Sequence, residues 1–120
     1  MAERLFKVAE LNPSKGKTSR EIICRSKIHE INLWRVTPGK WVYPHIHPYN
    51  DDIWYIIQGE GNYYLTAEET QIVKSGDVLV ATPGDVHGMY NTGNNDIIIY
   101  SILSPLPVKI EPAQGFDYPE

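Results

Sequence analysis

Residues 39–61 read GKWVYPHIHPYNDDIWYIIQGEG, and this stretch decides how the whole chain is interpreted. Tyr43 and His47 each precede a proline, which disfavours helical backbone and keeps the segment extended. Side chains alternate between the two faces of an extended strand, so His45 and His47 point the same way, about 6.5–7 Å apart. Two imidazoles at that spacing can converge on one metal ion.

A carboxylate and a third imidazole complete the predicted metal site. Asp52 begins the next predicted strand and can add an oxygen ligand, with Asp51 as the alternative carboxylate. His87 is the remaining histidine near a strand start in the second half of the chain, whereas His29 stands alone in a polar stretch. Three imidazoles and a carboxylate suit a borderline first-row divalent ion. The predicted ligands are His45, His47, Asp52 and His87.

The rest of the chain is a succession of short β-branched and aromatic runs separated by turn signals, with no helical periodicity. About ten short strands indicate an all-β sandwich or barrel. Residues 58–62 (QGEGN) predict a hairpin in which Gly59 and Gly61 supply positive φ. Residues 7–11 predict a short strand or turn, residues 12–19 a loop, and the proline-rich segment after Ser104 an extended tail that can pack against a partner. The other predicted strands cover 21–24, 28–36, 41–47, 52–57, 63–66, 71–74, 78–81, 87–90 and 96–103.

The opening stretch resembles the first sequence motif of the cupin superfamily. That motif is a Gly, five residues, HxH, three or four residues, a Glu, six residues and a Gly. Gly39, His45, His47 and Gly59 match it, and Asp52 occupies the Glu position. Because Asp is one methylene shorter, three arrangements stay open: Asp52 ligates directly, ligates through a water, or leaves a three-histidine site.

A second stretch, GDVLVATPGDVHGMYN over residues 76–91, resembles the second cupin motif: a Gly, five residues, PxG, two residues, a His, three residues and an Asn. Gly76, Gly84, His87 and Asn91 match, whereas Thr82 replaces the first Pro. The resemblance implies a cupin-type double-stranded β-helix, a jelly-roll barrel. We expect one domain over residues 1–120, with its barrel core at about 20–104 and extended terminal segments.

Strand alternation also predicts a pocket beside the metal, formed by Tyr43, Trp54, Ile56 and Met89. Either Ile98 and Tyr100 or Ile97 and Ile99 line the last long strand, and Arg35 is a candidate to enter the pocket. Such an aromatic and apolar site suits a small organic ligand. The candidates for proton transfer are Tyr43, Tyr55 and Asp85.

Composition narrows the classes of function. The 120 residues carry a net charge of −4, which argues against binding to a nucleic-acid backbone. No stretch approaches the length of a membrane span, and the first ten residues lack the apolar core of a signal peptide. The single cysteine, Cys24, excludes an intrachain disulfide. These features predict a cytoplasmic protein.

The resemblance implies a function only in outline. We expect one divalent ion (Fe, Mn, Ni or Zn) and a small-molecule ligand, and a homodimer by analogy with other cupins. The leading interpretation is a metal-dependent enzyme of the dioxygenase or isomerase type acting on a small organic acid or sugar-like substrate. The alternative is a non-catalytic cupin that binds or senses a small ligand, with the metal as anchor.

Overall fold

The computed structural model describes residues 5–7 and 17–116, and within these ranges all regular structure is β. The strand or turn predicted at 7–11 and the loop predicted at 12–19 lie largely outside the described residues. The described part of the chain contains no helix with the length and apolar character needed to cross a bilayer. The strands are β1 (Ser19–Arg25), β2 (Glu30–Val36), β3 (Trp41–Ile46), β4 (Asp51–Gln58), β5 (Glu60–Tyr64), β6 (Thr70–Lys74), β7 (Val78–Ala81), β8 (His87–Tyr90), β9 (Ile97–Ser104) and β10 (Glu111–Pro112).

The strands form two five-stranded antiparallel sheets. The first has the order β1-β2-β9-β4-β7 and the second the order β10-β3-β8-β5-β6. Each sheet contains strands from both halves of the chain, so the two predicted motifs are brought together by long-range pairing. Side chains from the two inner faces form the core, as the all-β prediction required.

The inner surface of the first sheet changes from polar to apolar along its strands. Three rows of inward-facing residues cross β2, β9 and β4: Glu30, Leu103 and Asp52; then Asn32, Ser101 and Trp54; then Trp34, Ile99 and Ile56. The first two rows carry four of the buried polar side chains, and the third is apolar. On β9 the buried pair is Ile97 and Ile99, which decides between the two alternatives left open by the sequence.

Two glycines perform different tasks where the chain passes from β4 in the first sheet to β5 in the second. Gly59 has a φ of +93°, as predicted for the turn. Gly61 lies within β5 instead, where an added Cβ would fall 2.7 Å from both the Ile97 Cδ1 atom and the Tyr90 carbonyl oxygen. The prediction of positive φ at Gly61 was therefore wrong, because the constraint there is close packing.

A β-bulge in β3 determines which of its side chains face inward. Val42 pairs with Met89 and His45 pairs with His87, so three residue steps on β3 oppose two on β8. The extra residue changes which β3 side chains point inward and which point outward. Val42 is therefore buried, whereas Tyr43 is 46% exposed. The bulge is accommodated because Pro44 packs directly over Gly88.

The segment after β9 packs back onto the chain's own barrel. The Asn50 side-chain amide donates to the carbonyls of Pro105 and Pro107, and its oxygen accepts from the Lys109 N–H at 3.1 Å. β10 then pairs with β3. We call residues 105–112 the strap. The expected extended tail therefore forms part of the barrel wall, at the end that carries His45 and His47.

The contact between Gly88 and Pro44 predicts a large effect of a single methyl group. An alanine Cβ at position 88 would lie 2.7 Å from the Pro44 Cα, a backbone atom. We expect Gly88→Ala to destabilise the protein by about 1–3 kcal/mol, because the bulge must shift to relieve the overlap. Chemical denaturation measures this change.

Gly93→Ala is the matched control, since its added Cβ would approach no closer than 3.5 Å to Asn91 Oδ1, an ordinary contact. Equal stabilities of the two variants would contradict the assigned role of Gly88.

Candidate metal centre

Four side chains from three strand regions meet at one end of the barrel. His45 lies at the end of β3 and His47 just beyond it, Asp52 lies on β4, and His87 begins β8. One potential ligand atom from each lies within 4.8 Å of the others. His47, Asp52 and His87 are buried, with exposures of 4%, 4% and 1%. The structure thus brings together the four residues singled out by the sequence, in a group that could hold a metal ion.

Backbone carbonyls orient all three imidazole rings. The Nδ1 bonds join His45 to the Tyr43 carbonyl (2.6 Å), His47 to the Lys109 carbonyl (2.6 Å) and His87 to the Asp85 carbonyl (3.2 Å). A carbonyl oxygen only accepts, so Nδ1 carries a proton, and in the neutral ring Nε2 keeps its lone pair. Metal-binding histidines are held in this way, with the second ring nitrogen donating to a backbone carbonyl or carboxylate.

Asp52 adds a negatively charged carboxylate next to these ring nitrogens, and the cluster contains no positive charge to balance it. Its Oδ2 atom lies 3.0 Å from His87 Nε2 and 3.6 Å from His47 Nε2, and its Oδ1 atom accepts a hydrogen bond from the Ser101 hydroxyl at 2.8 Å. With Nδ1 protonated on each ring, Nε2 and the carboxylate are all acceptors and require a shared proton or metal ion. Ligands about 2.1 Å from one ion at right angles lie about 3 Å apart. The donor set therefore fits a divalent first-row ion.

The electrostatics keep these groups in the forms that bind metal. Burial, together with the neighbouring His87, lowers the pKa of His45 to about 4. Burial alone would raise the pKa of the Asp52 carboxyl, but the adjacent His47 and His87 rings and the Ser101 hydroxyl hold it well below its usual range. At neutral pH His45 is thus uncharged and Asp52 ionised, as metal coordination requires.

A cavity of about 730 Å³ opens beside the cluster between the two sheets. His45, His47 and Asp52 lie in its wall together with Ser101. The strap contributes one side of this wall, so it both encloses the cavity and orients His47 through the Lys109 carbonyl. The apolar part of the wall is formed by Trp34, Val42, Leu103, Val108 and Ile110.

The cavity also reaches a polar group that the sequence did not point to. We call Arg20, Arg25, Glu30 and Asn32 the distal group. The Arg25 Nε atom donates to Glu30 at 2.9 Å, and the Asn32 amide donates to the same carboxylate at 3.2 Å. Burial raises the pKa of Glu30, but the bonds from Arg25 and Asn32 outweigh it and leave the pKa below the usual value. The sequence feature that could have pointed to this group is Glu30, a charged residue at the start of β2, a strand that is otherwise largely apolar.

Three of the four residues predicted to form the pocket lie deeper than the cavity. Trp54, Ile56 and Met89 belong to the hydrophobic core and do not line the cavity wall. The predicted face of β4 was right, but only Asp52 lies at the open end. Tyr43 lines the cavity, although the bulge places its ring against Trp41, with the ring centroids 6.1 Å apart.

Further candidates lie away from the cavity. Tyr55 is 44% exposed on the outer face of β4. The Asp85 carboxylate accepts from the Thr82 N–H at 2.8 Å and the Thr82 hydroxyl at 2.7 Å, so it closes the turn before β8. Arg35 pairs with Asp96 at 2.6 Å. None of the three lines the cavity, so the geometry removes the basis for a catalytic role of Tyr55 or Asp85. The alternative carboxylate, Asp51, lies outside the four-residue group.

Glu30 predicts a specific pH dependence of stability. Its folded-state pKa lies below the unfolded value of 4.5, so its charge stabilises the protein above about pH 4.5, and this contribution is lost as the pH falls further. We expect Glu30→Gln to cost about 1–3 kcal/mol at pH 7, with the difference from the unaltered protein shrinking below pH 4.5. Denaturant titrations at several pH values measure this difference.

Glu68→Gln serves as the control for loss of one charge, because Glu68 is exposed in a turn. A Glu30→Gln penalty that stays constant down to pH 3 would contradict an ionised, paired Glu30.

Comparison of the sequence with known proteins identifies relatives. The Cupin domain family matches residues 32–103. An oxalate-binding protein from Thermotoga maritima is 33% identical over 69 residues, which cover 58% of this chain and 56% of that protein. The tetracenomycin polyketide synthase protein TcmJ from Streptomyces glaucescens is 30% identical over 76 residues, covering 63% of this chain and 50% of that protein. The chain thus spans about half the length of the curated relatives it matches.

A solved structure supports the fold over nearly the whole chain. A conserved protein with a double-stranded β-helix domain from Klebsiella pneumoniae superposes with a TM-score of 0.85 at 31% identity, covering 94% of this chain and 99% of that one. The predicted double-stranded β-helix is thereby confirmed. Both histidine-bearing motifs lie inside the matched residues 32–103, and the chain belongs to the cupin family.

Proposed function

We propose that the chain is a metal-dependent enzyme that acts on a small organic acid. One divalent ion is held by the Nε2 atoms of His45, His47 and His87 and by the Asp52 carboxylate. The observation that carries this proposal is the pre-oriented, all-acceptor cluster in the wall of a large cavity. The similarity to an oxalate-binding protein supports an acid as the ligand.

The chain's own residues prepare the site for such a ligand. A bound divalent ion would supply Lewis acidity toward the oxygens of the acid. The three carbonyl-anchored rings have no freedom to turn away, and Ser101 holds the Asp52 carboxylate by its second oxygen. The apolar residues Leu103 and Val42 exclude water beside the cluster, which strengthens electrostatic interactions there.

The side chains around the cavity favour oxidative chemistry over isomerisation. Isomerisation requires a side chain that removes and returns a proton. Outside the cluster, the acidic groups in the described cavity wall are Glu30, which is paired with Arg25; Tyr43, whose ring is stacked on Trp41; and Glu111, which is exposed to solvent on β10. We therefore place a dioxygenase-type reaction ahead of an isomerase-type one.

The same observation supports a second candidate function. A metal site with anchored ligands and few groups suited to proton transfer would also serve a non-catalytic protein that holds an acid by its oxygens. In this version the metal is the anchor, and the chain binds or senses the ligand.

Removal of one imidazole tests the metal site. We expect His47→Ala to bind metal about 10- to 100-fold more weakly, or weaker still, because the ring is buried and its Nε2 atom faces the centre of the cluster. The variant should therefore lose at least 90% of its bound metal after dialysis. Elemental analysis of protein purified without added metal gives the stoichiometry. His29→Ala is the control, since His29 lies outside the cluster and contacts Ser26. A full equivalent of metal in His47→Ala would refute the ligand assignment.

Turnover separates the two candidate functions. Protein loaded with Fe(II) under nitrogen is mixed with catechols, thiols and keto acids, and oxygen uptake is followed in parallel with thermal unfolding. A dioxygenase consumes oxygen with at least one compound, an isomerase converts a compound without oxygen uptake, and His47→Ala abolishes either reaction. A rise in melting temperature with neither oxygen uptake nor any chemical change in the compound identifies the binder, since a ligand of the native state stabilises it by mass action.

A further inference from the structure

We propose that the cavity binds an elongated organic acid at two poles, with one acidic group at the metal cluster and a second anionic group at Arg20 and Arg25 of the distal group. This inference rests on the proposed function for the first pole and adds a second binding site. It defines the ligand class as an acid with a largely apolar body and anionic groups at both ends.

The size of the cavity is the first argument. Cavities of about 300–1,000 Å³ accommodate drug-sized ligands. The cavity here measures about 730 Å³ and would be mostly empty around a two-carbon diacid such as oxalate. A ligand that fills it must extend well beyond the metal cluster.

The separation of the two poles follows from the strand register. Glu30 on β2 and Asp52 on β4 both lie opposite Leu103 on the intervening strand β9. Two strand spacings separate their backbones by about 10 Å. Leu103 lies between the poles, so the ligand's middle portion contacts an apolar wall.

The charge of the distal group favours a second anion. Two arginines and one glutamate give 2 − 1 = +1. Glu30 is satisfied by Arg25 and Asn32, whereas the Arg20 Nη1 atom is 3.8 Å from the carboxylate, beyond hydrogen-bonding distance. Among the described residues, Arg20 has no closer acidic partner, so its guanidinium can donate to an anionic group in the cavity.

A pair of probes of equal length isolates the second pole. Suberate, an eight-carbon diacid, and octanoate, the eight-carbon monoacid, share the first carboxylate and the apolar chain. Calorimetric titration of both into Zn²⁺-loaded protein should show suberate binding at least 10-fold more tightly (about 1.4 kcal/mol), because its second carboxylate accepts charge-assisted hydrogen bonds that octanoate cannot accept. If there is no second pole, the second carboxylate of suberate loses its hydration in the cavity without gaining a partner. Octanoate should then bind as tightly as suberate or more tightly.

Arg20→Gln should reduce the suberate-to-octanoate ratio to about 1, and Lys40→Gln, which removes one exposed positive charge elsewhere, should leave it unchanged. Arg20 is 44% exposed, so its variant is expected to fold, and thermal unfolding of the same samples verifies this. A ratio near 1 in the unaltered protein, or one unaffected by Arg20→Gln, would overturn the second pole.

Metal analysis of the same samples separates this inference from the proposed function. Protein that holds one equivalent of Zn²⁺ but does not prefer suberate retains the metal site and refutes the second pole alone. Protein that retains no metal refutes the proposed metal site. The suberate-to-octanoate ratio and its dependence on Arg20 are then measured on the metal-free protein, where a ratio near 1 would refute the second pole as well.

Discussion

The structure of this end of the barrel depends on the hydrogen bonds between three histidine Nδ1 atoms and three backbone carbonyls. The acceptors belong to different parts of the chain: β3 itself, the turn before β8 and the strap. Together they orient the three rings, and the Nε2 atoms of His47 and His87 lie next to the Asp52 carboxylate. A buried group of acceptors with no donor among them is costly unless a cation is present, and this constraint is the basis for proposing a metal ion at the cluster.

The barrel supports this arrangement by dividing its interior into two zones. Apolar residues such as Ile97, Ile99 and Ile56 fill one end and form the core, while Asp52 and Glu30 lie in the outermost row at the other end and Ser101 lies in the row next to it. Because β2, β9 and β4 are in register, polar side chains from three strands lie in adjacent rows instead of being scattered. The same register places the metal cluster and the distal group on opposite sides of a single cavity.

Much of the fold was predictable because strand alternation and turn residues act locally. The predicted strands agree with the observed ones to within a few residues, and Asp52, Trp54 and Ile56 share one face as expected. Two kinds of error have physical causes. The regular alternation is interrupted at Tyr43, because the bulge beside Gly88 inserts one residue into β3; Tyr43 still lines the cavity as predicted, but its ring is exposed and packs against Trp41. The alternation of side chains also does not show how far along the barrel an inward-facing residue lies. Trp54 and Ile56 were therefore predicted to line the pocket, although they lie deeper, in the hydrophobic core.

The fold class and the four residues of the cluster could be read from the chain alone, because motif spacing along two strands controls which side chains can point inward. The orientation of the rings, the extent of the cavity and the residues on its far side became visible only in the folded protein. Those features depend on long-range contacts such as His47 with Lys109 and Asp52 with Ser101, and on the strand pairing that places Glu30 and Asp52 on either side of Leu103. No local pattern encodes such contacts, since they exist only once both sheets have formed.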